Sequence, residues 1–504
     1  MHSPIQERRQ SRERRLPSFV AAGVAIVTGG VLWTISAPRP SHDRASGSEI
    51  SGLIQHLKSG DSHRCAKAAV GVGKLGPQGV AAIPDLIPLL GNTNPGDVGG
   101  IIVFTPVRQI AADALRRIGP KSLPAIVEAI RNHKASKVRE GAVLAISGFD
   151  IDPKELLPTL DQALDDSNDR VRVVALQGIA RHGKSAGNMV PHVAKLLRND
   201  ASVQVRIDAA YALRFLDPEG RSAVAELSGA LADSAAAVRV VAARSLAEYG
   251  AEARPALPAL IGLLTDKEQV PYAYSADHFG SRETRGEVAV VLGVIGAVAE
   301  PAVAALDRLR AEASAPFETR VNAAVAVIRI LPQDEHAVNA FLDLLDEDEL
   351  WSSDLLPVLD GLEITRGRAQ RALPAIRRHL KKEDGSVCWE ATRALVEAGG
   401  AAAVPDLVAL LESDDYDAQA EAAQALGELG PDAKAAVPAL LKVLDTALHE
   451  ETDAAHLSAL GALSKIGPPA KAALPRLRDL LGGAGAGGFW AEVLTEAIKK
   501  IAGE

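Results

Sequence analysis

The segment VRVVALQGIARHG (residues 171–183) decides the fold, because close variants of it recur along the chain. The variants include VRQIAADALRRIG at 107–119, VRIDAAYALRFLD at 205–217 and VRVVAARSLAEYG at 238–250. Within each segment, Ala, Leu and Val recur at spacings of three and four residues, which is typical of a helix with one apolar face. A final glycine ends most copies, and glycine readily adopts the backbone conformation that terminates a helix. The pattern predicts a repeated amphipathic helix.

A second pattern, P-x-L-x-x-L-L, precedes these helices, so each repeat predicts a pair of helices. The first valines of successive copies lie 31 to 34 residues apart, at 107, 138, 171, 205 and 238. Prolines at 84, 158, 191, 258, 374, 438 and 475 are expected in the first turn of the first helix of a pair, where the missing N–H costs nothing. One pair cannot bury its own apolar face, so the pairs must stack.

The repeats resemble the HEAT repeat family, in particular the HEAT-like repeats first associated with phycobilisome lyases. The resemblance covers about nine-tenths of the chain and rests on A-A-x-A-L-x-x-[IL]-G helices and on D-x-x-x-x-x-R turns. The turns are Asp166/Arg172, Asp200/Arg206 and Asp233/Arg239. The resemblance implies an all-α, armadillo-like solenoid over 49–504, wound as a right-handed α–α superhelix of about thirteen helix pairs. It says little about function, because such solenoids bind many unrelated partners.

The N-terminal part of the chain differs from the repeats. Residues 16–38, LPSFVAAGVAIVTGGVLWTISAP, carry no charge and follow five arginines within residues 1–15. As a helix this segment would measure about 34 Å, enough to cross a hydrocarbon core of about 30 Å. The arginines predict a cytoplasmic 1–15 segment, and 39–48 a linker. We therefore expect one hydrophobic helix in the cell membrane, single-pass, with the solenoid extracytoplasmic. The alternatives are a cleaved signal sequence, giving a secreted or periplasmic protein, and an apolar segment of a cytosolic protein.

Three catalytic motifs occur by chance within the repeat. GIARHGKSAG (178–187) matches both the phosphate-binding pattern G-x-x-x-x-G-K-S and the hydrolase pattern G-x-S-x-G, and residues 71–76 match G-x-G-x-x-G. A phosphate loop follows a strand and leads directly into a helix, and a hydrolase serine lies on a strand-to-helix turn. The repeat instead puts Gly76 and Gly183 at the C-terminal ends of helices. Neither nucleotide binding nor hydrolysis is expected.

Composition argues against several other classes of function. A net charge of -9 is unfavourable for general nucleic-acid binding. Cys65 and Cys388 lie nine repeats apart, too far for a disulfide, and are expected to be free thiols. HEAT-repeat hydroxylases bind two metals with several His-Glu pairs, whereas this chain has one, His449-Glu450. We expect no cofactor, no metal, no nucleic acid and no small-molecule substrate.

Seven arginines occupy one column of the repeat, eleven residues before the helix-ending position. They are Arg108, Arg139, Arg172, Arg206, Arg239, Arg285 and Arg320. Cys65, Leu355, Cys388, Gln419 and His456 hold the same position in other repeats. Stacking predicts a ladder of arginines along the solenoid. Each arginine either pairs with a turn aspartate of its own or a neighbouring repeat, or contributes to a track for an acidic peptide or polyanion.

Two insertions and one charge split interrupt the repeat. The insertions, 91–105 and 265–283, both fall between the first and second helices of a pair, so they should project from the same rim. The second carries Tyr272, Tyr274, His278 and Phe279, which either bind a protein partner or fold back on the repeat. Acidic residues over 343–354 precede basic residues over 366–382, which predicts a polarised surface that is either simply solvated or orients a partner.

These observations lead to one functional hypothesis and two alternatives. The hypothesis is a non-catalytic, membrane-tethered scaffold that binds protein partners whose identity the sequence does not reveal. The first alternative is a divergent HEAT-repeat enzyme, either lyase-like or hydroxylase-like. The second is a solenoid that binds a polyanion through the arginine ladder.

Overall fold

The computed structural model describes residues 47–96, 105–275, 278–345, 356–365, 368–378, 380, 389–445, 453–483 and 488–503. The predicted cytoplasmic segment 1–15, the hydrophobic segment 16–38 and most of the linker lie outside the described residues, as do Cys388 and the His449-Glu450 pair. The chain forms two compact units, one reaching Thr284 and the other running from Arg285 to Glu504.

The first unit consists of helices joined by short turns. Its helices are α1 (Gly47–Leu57), α2 (Ser62–Leu75), α3 (Ile83–Leu86), α4 (Val107–Ile118), α5 (Leu123–Asn132), α6 (Ser136–Ile146), α7 (Pro153–Ala163), α8 (Asp169–Ala180), α9 (Val190–Asn199), α10 (Val203–Leu216), α11 (Ala223–Ala230), α12 (Ala236–Ala247) and α13 (Leu257–Gly262). Helix α14 (Thr284–Ile295) begins at the last residue of this unit.

The second unit continues the same alternation of helices. After α14 come α15 (Val303–Ala311), α16 (Phe317–Ile330), α17 (Glu335–Leu344), α18 (Leu356–Ile364), α19 (Leu373–Arg378), α20 (Trp389–Gly399), α21 (Val404–Leu411), α22 (Tyr416–Leu429), α23 (Val437–Leu444), α24 (Asp453–Ile466), α25 (Leu474–Gly483) and α26 (Phe489–Ala502). Odd-numbered helices are the first of each pair and even-numbered helices the second. The described residues therefore contain thirteen helix pairs, and the predicted all-α solenoid is confirmed.

The pairs stack because each leaves an apolar face that only its neighbours can cover. In the first unit, neighbouring second helices pack side by side, for example α8 against α10 and α10 against α12. Small residues allow this close approach. A Cβ added at Gly178 of α8 would lie only 2.8 Å from the Ser147 hydroxyl and 3.2 Å from Leu160, so no larger residue fits there without movement.

The helix ends follow the predicted glycine pattern, with one exception among the prolines. Gly183 has a φ of 51° and Gly250 a φ of 54°, values that glycine adopts without steric cost. The prolines at 84, 191, 258, 374, 438 and 475 occupy the second residue of a first helix. The prediction for Pro158 is wrong, because it lies inside α7. The helix begins before Pro158, because the Asp152 side chain caps its N-terminus and Pro153 is its first residue.

The two insertions contain the only strands among the described residues. In the first, β1 (Pro95–Gly96) pairs with β2 (Thr105–Pro106). In the second, β3 (Gln269–Ser275) and β4 (His278–Glu283) form an antiparallel hairpin. Its base is fixed, since the backbone N–H of Thr284 donates to the Glu268 carbonyl and Val270 is buried with Ala236 and Val240 of α12.

Two described stretches, Thr284–Ala311 and Ala391–Leu411, are long and apolar enough to cross a membrane by length and composition alone. Each is a second helix followed by the first helix of the next pair, and 44% and 50% of their most apolar windows are buried. Their hydropathy matches the packed interior of the repeats, so it is weak evidence for a membrane span. The segment 16–38 lies outside the residues to which this test applies.

Candidate functional site

The arginine column links several neighbouring repeats. Arg172 donates from Nε and Nη2 to the carboxylate of Asp200, at 2.8 and 2.7 Å. Its Nη1 donates to the carbonyl of Asp166, which lies in its own turn, at 2.8 Å. One guanidinium therefore holds the backbone of its own repeat and the side chain of the following one, and a bidentate pair of this kind fixes both distance and angle.

The same geometry recurs through the middle of the first unit. Arg139 pairs with Asp166, Arg206 with Asp233 and Arg239 with Asp266, all between 2.6 and 2.9 Å. Burial would raise the pKa of Asp166 and of Asp233, but hydrogen bonds from the guanidinium and from a backbone N–H outweigh it, and both pKa values are lowered. These aspartates are therefore ionised at neutral pH, and each occupies the fork of its arginine.

The column changes character towards both ends. Arg108 pairs with Glu140 at 3.1 Å, Arg285 with Glu312 at 2.7 Å, and Arg320 donates from Nε to the Arg310 carbonyl at 3.1 Å. Three further described residues of the column make contacts of other kinds. Gln419 donates to the Ser413 carbonyl at 2.7 Å, the Cys65 thiol donates to the Leu57 carbonyl at 3.2 Å, and His456 is buried edge-to-face against Trp490. Cys65 is a free, buried thiol.

The four residues predicted to bind a partner lie together on the hairpin. Tyr272 and Tyr274 lie on β3, and His278 and Phe279 on β4. The backbone of Tyr272 faces Gly280, and that of His278 faces Ser275, with an irregularity in the register between Ala273 and Ser275. The hairpin places the four residues on its two strands, and their contact with a partner remains a prediction.

The charge split is partly neutralised where it is described. Arg371 pairs with Asp343 at 2.8 Å, so a residue of the basic stretch reaches one of the acidic stretch. Arg368 pairs with Glu335 and Arg377 with Asp406. The remaining acidic residues of 346–354 lie outside the described residues.

The structure reveals an aromatic cluster on α10 that the sequence patterns did not single out. The Arg214 guanidinium carbon lies 4.4 Å from the ring centre of Tyr211 and 4.5 Å from that of Phe215, and the two rings meet edge-on at 5.1 Å. The Arg214 side chain is 13% exposed, and its Nη1 reaches Glu248 of the next repeat at 3.4 Å. Tyr, Arg and Phe are residue types that often dominate binding energy at protein interfaces.

A buried carboxyl group lies one turn from this cluster. Asp208 of α10 is 5% exposed and accepts hydrogen bonds from the side-chain amides of Gln177, at 2.9 Å, and Gln204, at 2.6 Å. Burial raises the pKa of Asp208, although both amides act to lower it. The two adjacent repeats have Val174 and Val241 at this position, so a carboxyl group between two apolar neighbours was the signal available in the sequence.

In the second unit, the surface of the second helices holds two open depressions. One, of about 420 Å³, lies between α20 and α22 and includes Arg393, Glu421 and Glu428. The other, of about 620 Å³, lies between α24 and α26 over Leu457, Leu460 and Val493. Within the described parts of the chain, no group of three or more His, Cys, Asp or Glu side chains could hold a metal ion.

Comparison with known proteins identifies the repeat. The family model for HEAT repeats matches residues 104–180, 190–276 and 359–427, and the model for the PBS lyase HEAT-like repeat matches 418–446. No curated protein sequence matches the chain.

Solved structures give the same fold. Yeast importin-β (Kap95p) is similar with a TM-score of 0.59 at 14% identity, over 90% of this chain and 66% of that protein. A complex of Kap95 with Nup1 is similar with a TM-score of 0.57 at 13% identity, over 91% of this chain and 73% of that one. A structure of Kap95p with RanGDP gives 0.54 at 13% identity, over 90% and 66%. The chain therefore spans 66% of the importin-β chain, and the likeness at this identity concerns the fold alone.

Proposed function

We propose that this chain, which is a HEAT-repeat protein, is a non-catalytic scaffold that binds protein partners on the surface of its second helices. The observation that carries the proposal is the cluster of Tyr211, Arg214 and Phe215 on α10, which is presented on the face where α8, α10 and α12 lie side by side. In a chain with only 3% aromatic residues, two rings around one arginine form a concentrated contact site.

The structural neighbours support the mode of binding and nothing more specific. Two of these structures concern Kap95p together with other proteins, namely Nup1 and RanGDP. A solenoid of the same fold therefore offers its surface to other proteins. The partner of this chain is a separate question, because the identity to Kap95p is only 13–14%.

Site-specific cross-linking tests the proposal directly. A photoreactive amino acid is placed at Tyr211, at Tyr272 on the hairpin, and at Lys195 on α9 as a control on a first helix. We expect the full chain, irradiated in its native cells, to form a discrete protein adduct from position 211 and none from position 195. An adduct from position 272 alone would move the contact to the hairpin. Absence of an adduct at both positions 211 and 272 would contradict a protein-binding scaffold.

Substitution of the cluster gives a second readout. Tyr211→Ala with Phe215→Ala should abolish capture of the cross-linked partner, while the helix content measured by circular dichroism stays unchanged. The matched control is Tyr272→Ala with Tyr274→Ala on the hairpin, which should leave capture of the partner unchanged. Metal analysis and a visible spectrum of the purified full chain address the enzyme alternative, since a bound metal or chromophore in stoichiometric amount would favour it.

We also propose that residues 16–38 tether the protein in the cell membrane, with the solenoid on the extracytoplasmic side. The support is a charge-free segment of 23 residues that follows five arginines. Fractionation with N-terminal sequencing tests this. A membrane-bound protein that retains residues 1–38 agrees with the tether, a soluble protein that begins near residue 38 indicates a cleaved signal, and a soluble protein with an intact N-terminus contradicts both.

A further inference from the structure

A row of basic side chains crosses the second-helix surface near the start of the first unit. Lys74, Arg117 and Arg181 each lie two residues before the glycine that ends their repeat's second helix, so stacking aligns them along α2, α4 and α8. All three are exposed, and none forms an ion pair with another described residue. In this respect they differ from the ladder arginines 139, 172, 206 and 239, whose guanidinium groups are held by carboxylates.

Arg116 closes the gap that the row would otherwise have at α6. Gly148 holds the corresponding position in that repeat, and a Cβ there would lie 3.4 Å from Cδ of Arg116. In the opposite direction, Cδ of Arg117 lies 3.3 Å from where a Cβ of Gly73 would be. The two arginines of α4 therefore lean over glycines of the neighbouring repeats. Burial and the adjacent charge of Arg117 lower the pKa of Arg116, and Asp113 is its paired acid.

We infer that this basic row, Lys74, Arg116, Arg117 and Arg181, binds an acidic segment of a protein partner in extended conformation. The inference rests on the proposed function and specifies the chemistry of the partner. The row is positive although the whole chain has a net charge of -9, so it is a local site of opposite sign to the protein as a whole. Surfaces of complementary sign steer association and fix the register of a partner.

The spacing of the row sets the length of the segment. Packed helices lie about 8–10 Å apart, so four neighbouring second helices span roughly 25–30 Å. An extended chain advances about 10 Å in three residues. Four helices leave three gaps, so the row matches about ten extended residues that carry an acidic residue at positions 1, 4, 7 and 10.

The features beside the row favour a short protein segment over a nucleic acid. At the same helix-end position, the next two repeats carry Phe215 and then Glu248, an exposed acid. A long polyanion following the column would meet Glu248 and be repelled, whereas an acidic segment can end there with an apolar residue against Tyr211 and Phe215. The acidic stretch should therefore be followed by an apolar side chain.

Fluorescence anisotropy with the full chain in mild detergent tests the inference. The probes are a labelled thirteen-residue peptide with Glu at positions 1, 4, 7 and 10 and a C-terminal Leu, the same peptide with Lys at those four positions, and a single-stranded 15-nucleotide DNA. We expect the Glu peptide to bind, the Lys peptide not to bind, and the triple substitution Lys74→Gln, Arg117→Gln, Arg181→Gln to weaken Glu-peptide binding at least tenfold. Added salt should weaken binding by the wild-type chain in the same direction.

A matched control and a charge swap separate this effect from misfolding. Lys134→Gln, Lys154→Gln and Lys195→Gln remove the same charge from exposed positions of a turn and of first helices, and should leave the affinity within twofold. The triple Lys74→Glu, Arg117→Glu, Arg181→Glu should instead bind the Lys peptide. Unchanged Glu-peptide affinity in the Gln triple, no gain of Lys-peptide binding in the Glu triple, or tighter binding of DNA than of the Glu peptide would each overturn the inference.

The cross-linking at Tyr211 distinguishes failure of this inference from failure of the proposed function. If the Gln triple still captures the same partner with wild-type yield, the protein-binding scaffold stands and the basic row is not its contact. If the wild-type chain captures no partner, the proposed function itself is wrong, whatever the peptides do.

Discussion

The two units are built from the same repeat, but their repeats are joined differently. In the first unit, arginines 139, 172, 206 and 239 each bind a carboxylate of the following repeat with two nitrogens. In the second unit, the same column begins with Arg285, which pairs with Glu312 of the following repeat. Further along it holds Gln419, which donates to a carbonyl of its own turn, and the buried His456. Helix pairs stack in both units, so the apolar faces are sufficient for the fold. The arginine–carboxylate pairs add ion pairs between repeats that stacking does not require.

The surfaces of the second helices differ as well. The first unit presents the basic row and the aromatic cluster. At the helix-end position of that row, the second unit carries the acids Glu397 and Glu428 but also Arg329 and Lys465. Because the packed positions are nearly the same in the two units, this difference is not needed for stacking.

Breaking one rung of the ladder should have the largest effect. Arg206→Ala would leave Asp233, 11% exposed, without its partner, and we expect the first unit to lose about 2–3 kcal/mol. The change in the free energy of unfolding is measured by urea denaturation, and amide hydrogen exchange in α10 and α12 assigns it to the first unit. The matched change in the second unit, Gln419→Ala, removes one hydrogen bond and should cost about 1 kcal/mol or less. Equal losses in the two units would show that the ladder does not tie repeats together.

Acid should weaken the first unit through the same rungs. The pKa values of Asp166 and Asp233 are lowered in the folded protein, so their contribution is present above the unfolded pKa of about 3.9 and is lost as pH falls through the folded values. We expect amide exchange in α8 and α10 to accelerate below about pH 4 by more than that in α22. Asp166→Asn should remove part of this pH dependence. If amide exchange in the first unit has the same pH dependence in Asp166→Asn as in the wild type, the rung of Asp166 does not cause the acid sensitivity.

Asp208 should behave in the opposite way. Its pKa is raised by burial, so its ionisation above the unfolded pKa of about 3.9 works against folding. Asp208→Asn is therefore expected to stabilise the first unit slightly at pH 7, by less than about 1 kcal/mol, and to lose this advantage below pH 4. Thermal unfolding at the two pH values measures it. Destabilisation by Asp208→Asn at pH 7 would instead mean that the ionised carboxylate of Asp208 stabilises the folded protein.

The residues that imitate a phosphate loop should have the smallest effect. Lys184 forms an exposed ion pair with Glu219, and exposed pairs contribute little. Lys184→Ala with Ser185→Ala should leave the melting temperature and partner capture unchanged, and wild type and variant alike should bind no nucleotide in a filter assay. Nucleotide binding that disappears in the variant would reinstate the motif.

The sequence predicts the repeat architecture closely because stacking imposes the same spacing on every copy. Gly183 ends a helix as expected, since the positive φ that favours glycine recurs at this position in other repeats, for example at Gly119 and Gly250. The hairpin at 269–283 was missed because Pro271 interrupts the pattern of alternating residues that would indicate a strand. The cluster around Arg214 was missed for a different reason. Its residues lie at positions that vary between repeats, and only the stacked structure shows which of them meet.

The most direct test of the account is hydrogen exchange of the full chain with and without the partner recovered by cross-linking. We expect slower exchange in α2, α4, α8 and α10, which carry the basic row and the aromatic cluster, and no change in the first helices α5, α7 and α9. Protection confined to the first helices or to the second unit would contradict the central claim that the second-helix surface of the first unit binds the partner.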